Sequence, residues 1–251
     1  TLEAVAAERN RRTEAGLGEY ARTLYADAGI VGTVIDSDLP PGATQLALIP
    51  GRILRLFQMG PAIDRLLARS ESYGAMRQAY LDELAHAVHD DGYIGVKSHL
   101  GEIVGFTTAL AGPGEGAGAW RAAQDGDRFA YNRLYASLFG ETLLACQELD
   151  VPVHVHTGIT GGPWGGPINE ADPFLLASLL SQPAYRASKV VLLHAGYPWI
   201  EQASMMAHAF PQVWVDIGWV TPWTSLRAIE CMRAFLASAP LRRAASPALR
   251  S

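Results

Sequence analysis

The sequence is poor in cysteine, in charge and in uninterrupted apolar runs, and each shortage excludes a class of protein. Two cysteines in 251 residues are too few for a disulfide framework, and they predict reduced thiols in a cytoplasmic protein. The net charge of -5 argues against the basic face that nucleic-acid binding requires, so we expect no nucleic-acid partner. The uncharged stretch 151–169 is interrupted by Gly, Pro and His, so we expect no membrane-spanning helix.

What the sequence does have is enough apolar material for a large core. Hydrophobic residues make up 49% of the chain, which excludes a disordered protein. A folded chain of this mass buries roughly 70% of its unfolded surface. The final segment, 241–251, is basic and aperiodic, and we interpret it as a disordered or aberrant tail behind one domain spanning 1–240.

Short β-branched runs alternate with segments of helical spacing along the chain. Six strands are predicted, at 30–36, 46–56, 93–98, 151–156, 190–194 and 213–217. Helices are predicted around and between them, at 2–25, 63–89, 131–149, 173–180, 199–209 and 225–237, with a Gly-rich insertion at 101–126. Continuous apolar strands separated by helices favour an α/β fold with a parallel sheet covered on both faces.

Polar residues fall at the C-terminal ends of several predicted strands, namely Asp36, Lys97, His156, His194 and Asp216. In a (β/α)₈ barrel of the TIM type, active sites lie at this rim. A doubly wound sheet would instead carry a Gly-rich phosphate loop after its first strand, and this sequence has none there. We therefore expect a barrel.

Histidines at two strand ends point to a metal. His154 and His156 share one face of a strand, and His194 ends the next strand. Neutral imidazoles in one mouth bind Zn²⁺ or Mn²⁺ well. The alternative, for each histidine taken alone, is a structural role as a hydrogen-bonded residue of the core.

Other rim residues have two interpretations each. Lys97 either reaches solvent or holds a substrate carboxylate, and a desolvated amine there could also take part in the reaction. Asp216 either orients a histidine or makes a structural hydrogen bond. Trp164 and Trp219 follow strands and either wall a substrate pocket or contribute only packing.

Several of these segments resemble the amidohydrolase superfamily. They are 93–98 (YIGVKS), 151–158 (VPVHVHTG), 191–198 (VLLHAGYP) and 213–216 (VWVD). They are most similar to the amidohydrolase-related branch, which includes metal-dependent decarboxylases and the domain fused to glutamine synthetase-like domains.

The resemblance implies a (β/α)₈ barrel with one or two divalent ions, Zn or Mn, at the strand ends. His156 matches the fifth-strand metal ligand, and His194 matches the sixth-strand histidine, which binds a second ion or handles the proton of the attacking water. Lys97 matches the fourth-strand position, where some members carry a carbamylated lysine and others contact substrate. His154 matches no motif position.

Two family motifs are not found in this sequence. The first strand of the family ends in His-x-His and the eighth in Gly-Ser-Asp, and neither occurs at the expected place here. We therefore expect an incomplete barrel without the first and eighth strands, which holds metal weakly and turns over slowly.

The leading hypothesis is a metal-dependent hydrolase that cleaves a C–N or C–O bond of a small molecule with a metal-activated water. The alternatives are a metal-dependent decarboxylase on the same barrel and a non-catalytic or truncated barrel. A homo-oligomer is compatible with either enzyme. Substrate identity does not follow from the fold.

Overall fold

A computed structural model of the chain divides into two compact units, Thr1–Leu56 and Phe57–Ser251. The residues that the structure describes are 1–40, 42–110, 115–159, 166, 168–220 and 225–240. The predicted tail 241–251 and the predicted pocket residue Trp164 lie outside them. A single domain over 1–240 stays a prediction.

The first unit contains one long helix and a parallel strand pair. Helix α1 (Leu2–Asp27) leads into strand β1 (Gly32–Ile35), which pairs with strand β2 (Arg52–Gln58). The last two residues of β2 belong to the second unit. The predicted strand at 46–56 is wrong in its first part, because Thr44–Leu48 forms a 3₁₀ turn.

The second unit contains a four-stranded parallel sheet. Its strands are β3 (Gly95–Ser98), β4 (Val153–Val155), β5 (Val190–Leu192) and β6 (Val213–Val215), and each pairs with the next. Strand bodies built from Val and Leu are buried almost throughout, as parallel strands covered on both faces require. The α/β prediction is confirmed, whereas the absence of a first and an eighth barrel strand stays a prediction.

Helices cover this sheet and account for most of the core. They are α2 (Met59–Arg69), α3 (Tyr73–His89), α4 (Leu100–Ile103), α5 (Gly116–Gln124), α6 (Arg128–Glu148), α7 (Ala177–Leu180), α8 (Ile200–Ala209) and α9 (Ser225–Ser238). Short 3₁₀ turns lie between them at Phe106–Leu110, Ile168–Ala171, Pro173–Leu176, Pro183–Tyr185 and His194–Gly196.

Two predicted segments differ from the structure. The single helix expected at 63–89 is two helices, because Ser72 caps α3 by accepting a hydrogen bond from the Ala75 N–H at 3.2 Å. The insertion at 101–126 is largely helical in its described part, although its glycine content suggested a loop. Packing against the core there overrides local propensity.

The remaining sequence-based expectations concern the environment of the protein. Cys146 and Cys231 are both free and buried, as expected for core thiols. No described helix is long and apolar enough to cross a membrane.

Candidate metal centre

The C-terminal ends of β3 and β4 bring two histidines together. The His156 N–H donates to the Ser98 carbonyl at 2.9 Å, which continues the β3–β4 ladder one residue beyond β4. His99 follows Ser98 directly, and its N–H donates to the hydroxyl of Tyr135 on α6 at 3.1 Å. The ladder and the tyrosine together place the two imidazoles in the same region, with ring centroids 5.9 Å apart.

A glycine lets the α4 turn approach the end of β4. A Cβ on Gly101 would lie 2.7 Å from the His156 carbonyl oxygen and 2.5 Å from Cζ of Phe106, so only glycine fits without movement. Glu102 follows this glycine and is three residues beyond His99, a spacing that puts the two side chains on one face of a helical turn. The close approach therefore delivers a carboxylate to both histidines.

His99, Glu102 and His156 form a group of ligand atoms that all lie within 4.8 Å of one another. Oε2 of Glu102 is 3.5 Å from Nδ1 of His156 and 3.9 Å from Nε2 of His99. The His156 side chain is 3% exposed and the other two are 23% and 22% exposed, so one side of the group is accessible.

Hydrogen bonds to neighbouring groups define the tautomers of both histidines. A carbonyl can only accept, so Nε2 of His156, 2.5 Å from the Ile159 carbonyl oxygen, carries the hydrogen. An ammonium can only donate, so Nε2 of His99, 2.8 Å from Nζ of Lys97, carries the lone pair. Nδ1 of His156 and Nε2 of His99 therefore both carry lone pairs near the carboxylate of Glu102, and the His99 lone pair accepts from Lys97. A metal ion that used all three acceptors would have to displace the Lys97 ammonium from Nε2 of His99.

The protonation state of His156 suits metal binding. The pKa of this imidazole is lowered to about 4, chiefly by burial and to a smaller extent by Lys97 and His99, against the opposing effects of the Ile159 carbonyl and Glu102. The ring is therefore neutral at pH 7, which is the form that binds metal ions. Its bond to the Ile159 carbonyl is the kind of outer contact that fixes a metal-binding histidine in orientation.

The donor set fits a divalent transition metal. Two imidazole nitrogens and one carboxylate oxygen are a ligand set of catalytic zinc sites, which keep a further position open. Zinc–ligand bonds of about 2.0–2.2 Å place tetrahedral ligands roughly 3.3–3.5 Å apart. The 3.5 Å separation between His156 and Glu102 matches that spacing, and the 3.9 Å separation between His99 and Glu102 exceeds it by a few tenths of an ångström.

His194 lies beside this group and is not a member of it. Its ring centroid is 4.6 Å from that of His156 and 4.9 Å from that of Trp219, both in edge-to-face geometry. Nδ1 of His194 donates to the Gly218 carbonyl at 3.3 Å, which leaves the lone pair on Nε2 when the ring is neutral. Trp219 is 40% exposed and forms one wall beside the two histidines.

The structure brings together most of the residues that the sequence singled out. Lys97, His156, His194 and Trp219 lie within one connected set of contacts, and Lys97 is only 2% exposed despite its charge. Their roles as ligand, catalytic residue or substrate contact stay predictions.

Sequence reasoning missed His99 and Glu102. The signal was present as His-x-x-Glu directly after the third described strand, since that spacing places both side chains on one face of a helical turn. It was hidden because the glycines around it were interpreted as an insertion loop.

Comparison with known sequences identifies the family. The sequence profile described as Amidohydrolase matches residues 60–244, well over half of the chain. The chain belongs to this amidohydrolase family. The match contains β3 to β6 and all three members of the candidate metal group, so the resemblance in the strand-end segments is confirmed.

Solved structures show the same fold at low sequence identity. A candidate metal-dependent hydrolase from Lactobacillus casei ATCC 334 aligns with a TM-score of 0.79 at 20% identity, over 91% of this amidohydrolase chain and 62% of its own. Uronate isomerase from Thermotoga maritima is more distant, with a TM-score of 0.52 and 13% identity over 78% of this chain and 49% of its own.

One curated protein shares a short segment. Protein fluG of Emericella nidulans is 34% identical over 79 residues, which are 32% of this chain and 9% of that protein. The amidohydrolase chain thus spans less than two thirds of these relatives.

Proposed function

We propose that this chain is the metal-holding part of a metal-dependent hydrolase that cleaves a C–N or C–O bond of a small molecule. The observation that carries the proposal is the convergence of three acceptor atoms from His99, Glu102 and His156 within 4.8 Å. These residues would hold one divalent ion, with Zn²⁺ or Mn²⁺ favoured by the nitrogen and oxygen donors. Membership of the amidohydrolase family supports the reaction class.

A bound ion of this kind lowers the pKa of a coordinated water and polarises a scissile carbonyl. The neighbouring side chains would transfer the proton and hold the substrate. Because Nδ1 of His194 donates to the Gly218 carbonyl, a neutral ring would have its lone pair on Nε2, and there it would accept a proton from the attacking water and return it to the leaving group. Lys97 would hold an anionic or carbonyl oxygen of the substrate, and Trp219 and Trp164 would bound the pocket.

The architecture of the whole protein is part of the proposal. We take it to be a (β/α)₈ barrel, of which this chain supplies the strands between the first and the eighth. Support comes from the parallel strands with covering helices and from the 0.79 TM-score over 62% of the L. casei structure. The family pattern places further ligands on the two outer strands, so the three-residue group here would be one part of a larger site.

Activity assays on a substrate panel test the reaction class. Amides and lactones should be hydrolysed in the presence of Zn²⁺ or Mn²⁺ and not after chelation, and His194→Gln should lower the rate by about 100-fold, within the usual range for a general base. His89→Gln is the matched control, since His89 is an exposed histidine at the end of α3. If the protein releases CO₂ from aromatic acids and hydrolyses no member of the panel, the hydrolase proposal is refuted and the decarboxylase hypothesis is favoured.

A further inference from the structure

A partly buried aspartate, Asp216, connects the turn after β5 to the turn after β6. We propose that Asp216 is a positioning residue for His194, acting through the backbone of the two turns and not through direct contact with the imidazole. The inference rests on the proposed function only in that His194 is the group whose orientation matters there.

The turn that carries His194 has an unfavourable backbone conformation. His194 and Ala195 have φ values of +63° and +56°, in the left-handed region that residues other than glycine rarely adopt. Each such residue lowers the stability of the folded chain, because its Cβ approaches the following carbonyl oxygen too closely. Two in succession persist only where surrounding contacts hold them, and such strain is concentrated at functional sites.

Asp216 supplies those contacts with both its backbone and its side chain. Its carbonyl accepts the Ala195 N–H at 2.7 Å, and its carboxylate accepts the Gly218 N–H. N–H donors from two separate turns therefore end on one residue. Removal of the carboxylate would leave the Gly218 N–H without this acceptor.

The same residue controls the group that fixes the imidazole. The Gly218 carbonyl accepts from Nδ1 of His194 at 3.3 Å, and the position of that carbonyl depends on the bond between the Gly218 N–H and the Asp216 carboxylate. A Cβ on Gly218 would lie 2.6 Å from Oδ1 of Asp216, so glycine is what allows the carboxylate to sit there. Asp216 thereby sets which ring nitrogen of His194 carries the hydrogen.

The carboxylate is held in place by these bonds against its own desolvation. Burial raises the pKa of Asp216, whereas the N–H groups of Gly218 and His194 and the charge of Lys97 lower it. A carboxylate that is removed from water is unfavourable unless hydrogen bonds or an opposite charge compensate it, and these contacts supply that compensation.

The tautomer of His194 tests the inference directly. We would record ¹⁵N spectra of the imidazoles in the full chain without added metal or substrate, and assign the His194 signals with His194→Gln. The wild type should show hydrogen on Nδ1 of His194. Asp216→Ala and Asp216→Leu, which both remove the acceptor, should lose that signal while circular dichroism shows a folded chain. Asp216→Asn keeps one acceptor oxygen for the Gly218 N–H and should retain the signal. Because Leu has nearly the size of Asp, Asp216→Leu decides the question if Asp216→Ala does not fold.

Asp127→Ala is the matched control, because the Asp127 carboxylate likewise accepts backbone N–H groups, at 2.9 and 3.1 Å, at the start of α6. It should lower stability without changing the His194 signal. An unchanged Nδ1–H signal in folded Asp216→Ala or Asp216→Leu would overturn the inference, as would its loss in Asp127→Ala.

This readout separates the inference from the proposed function. If a substrate is hydrolysed, Asp216→Leu should lower kcat by about 10–100-fold, as for outer contacts of catalytic groups, with little change in KM. An Asp216-dependent tautomer in a protein that hydrolyses nothing would refute the hydrolase and leave the positioning role intact.

Discussion

The ends of β3 and β4 and the end of β5 place histidines in two different ways. At the first pair of ends, a right-handed turn and a close glycine contact gather His99, Glu102 and His156 so that their acceptor atoms converge. At the end of β5, a left-handed turn held by Asp216 turns the His194 ring towards the Gly218 carbonyl. Only the first arrangement concentrates lone pairs in one place.

The difference indicates two functions for one residue type. Converging lone pairs beside a carboxylate suit the binding of a cation. A single imidazole with one nitrogen committed to a carbonyl, and the other carrying a lone pair, suits proton transfer. Histidines at neighbouring strand ends are therefore not interchangeable, although the sequence presents both simply as a histidine after an apolar strand.

The largest expected effect that separates the two histidine environments is the change of the free energy of unfolding with pH. The unfolded chain protonates His156 near its ordinary pKa of 6.5, whereas the folded chain does so only near 4, because burial opposes the charge. Between these values the unfolded state binds more protons, so the free energy of unfolding falls as pH falls and is flat above 6.5. The total loss is about 3 kcal/mol.

Denaturant unfolding of the metal-free protein between pH 4 and pH 8 measures this loss. His156→Gln should remove most of the pH dependence, and His194→Gln should leave it in place. If the two substitutions change the pH dependence of the free energy of unfolding equally, the proposed difference between His156 and His194 is wrong.

A second prediction concerns the glycine contact at the end of β3. Gly101→Ala places a Cβ against the His156 carbonyl and the Phe106 ring, and overpacking of this kind costs about 1–3 kcal/mol. The α4 turn should also move away from His156 and weaken metal binding. Gly118→Ala in α5 is the matched control, since its Cβ would meet nothing within 4 Å and should stabilise the helix by about 0.5–1 kcal/mol. If Gly101→Ala and Gly118→Ala unfold at the same temperature and bind metal equally well, the close approach of Gly101 to His156 is not what brings the metal group together.

The smallest expected effect concerns Lys97. Its ammonium donates to Nε2 of His99 at 2.8 Å, so it occupies a lone pair that a metal ion needs and repels the charge of that ion. Lys97→Met should therefore raise metal affinity by about tenfold, equal to 1.4 kcal/mol, in competition with a chromogenic chelator. Lys189→Met removes a half-buried lysine that is paired with Asp150, and it should leave metal affinity unchanged. Weaker binding by Lys97→Met, with wild-type binding that increases with bicarbonate, would instead support a carbamylated lysine.

The sequence allowed the strand bodies and their histidine ends to be predicted, because both depend on local pattern. Apolar runs of Val, Ile and Leu marked β4 to β6, and His156 and His194 followed directly from the positions where those runs stop. Lys97 was found by the same reasoning. Periodicity is a local property, so it locates such residues without knowledge of what packs against them.

The partners of those histidines could not be predicted in the same way. Glu102 reaches His156 across 54 positions of sequence only because Gly101 packs against the end of β4 and Phe106. The role of Asp216 depends on positive φ values in a turn more than twenty residues earlier. Contacts of this kind are decided by tertiary packing, which one sequence does not reveal.

The central claim is that the metal ion is held by His99, Glu102 and His156, with His194 beside it. Elemental analysis after exposure to Zn²⁺ and removal of excess ion tests this most directly, on the wild type, His99→Ala and His194→Ala. We predict equal metal content in the wild type and in His194→Ala, and loss of metal in His99→Ala. Retention of metal in His99→Ala together with its loss in His194→Ala would contradict the account.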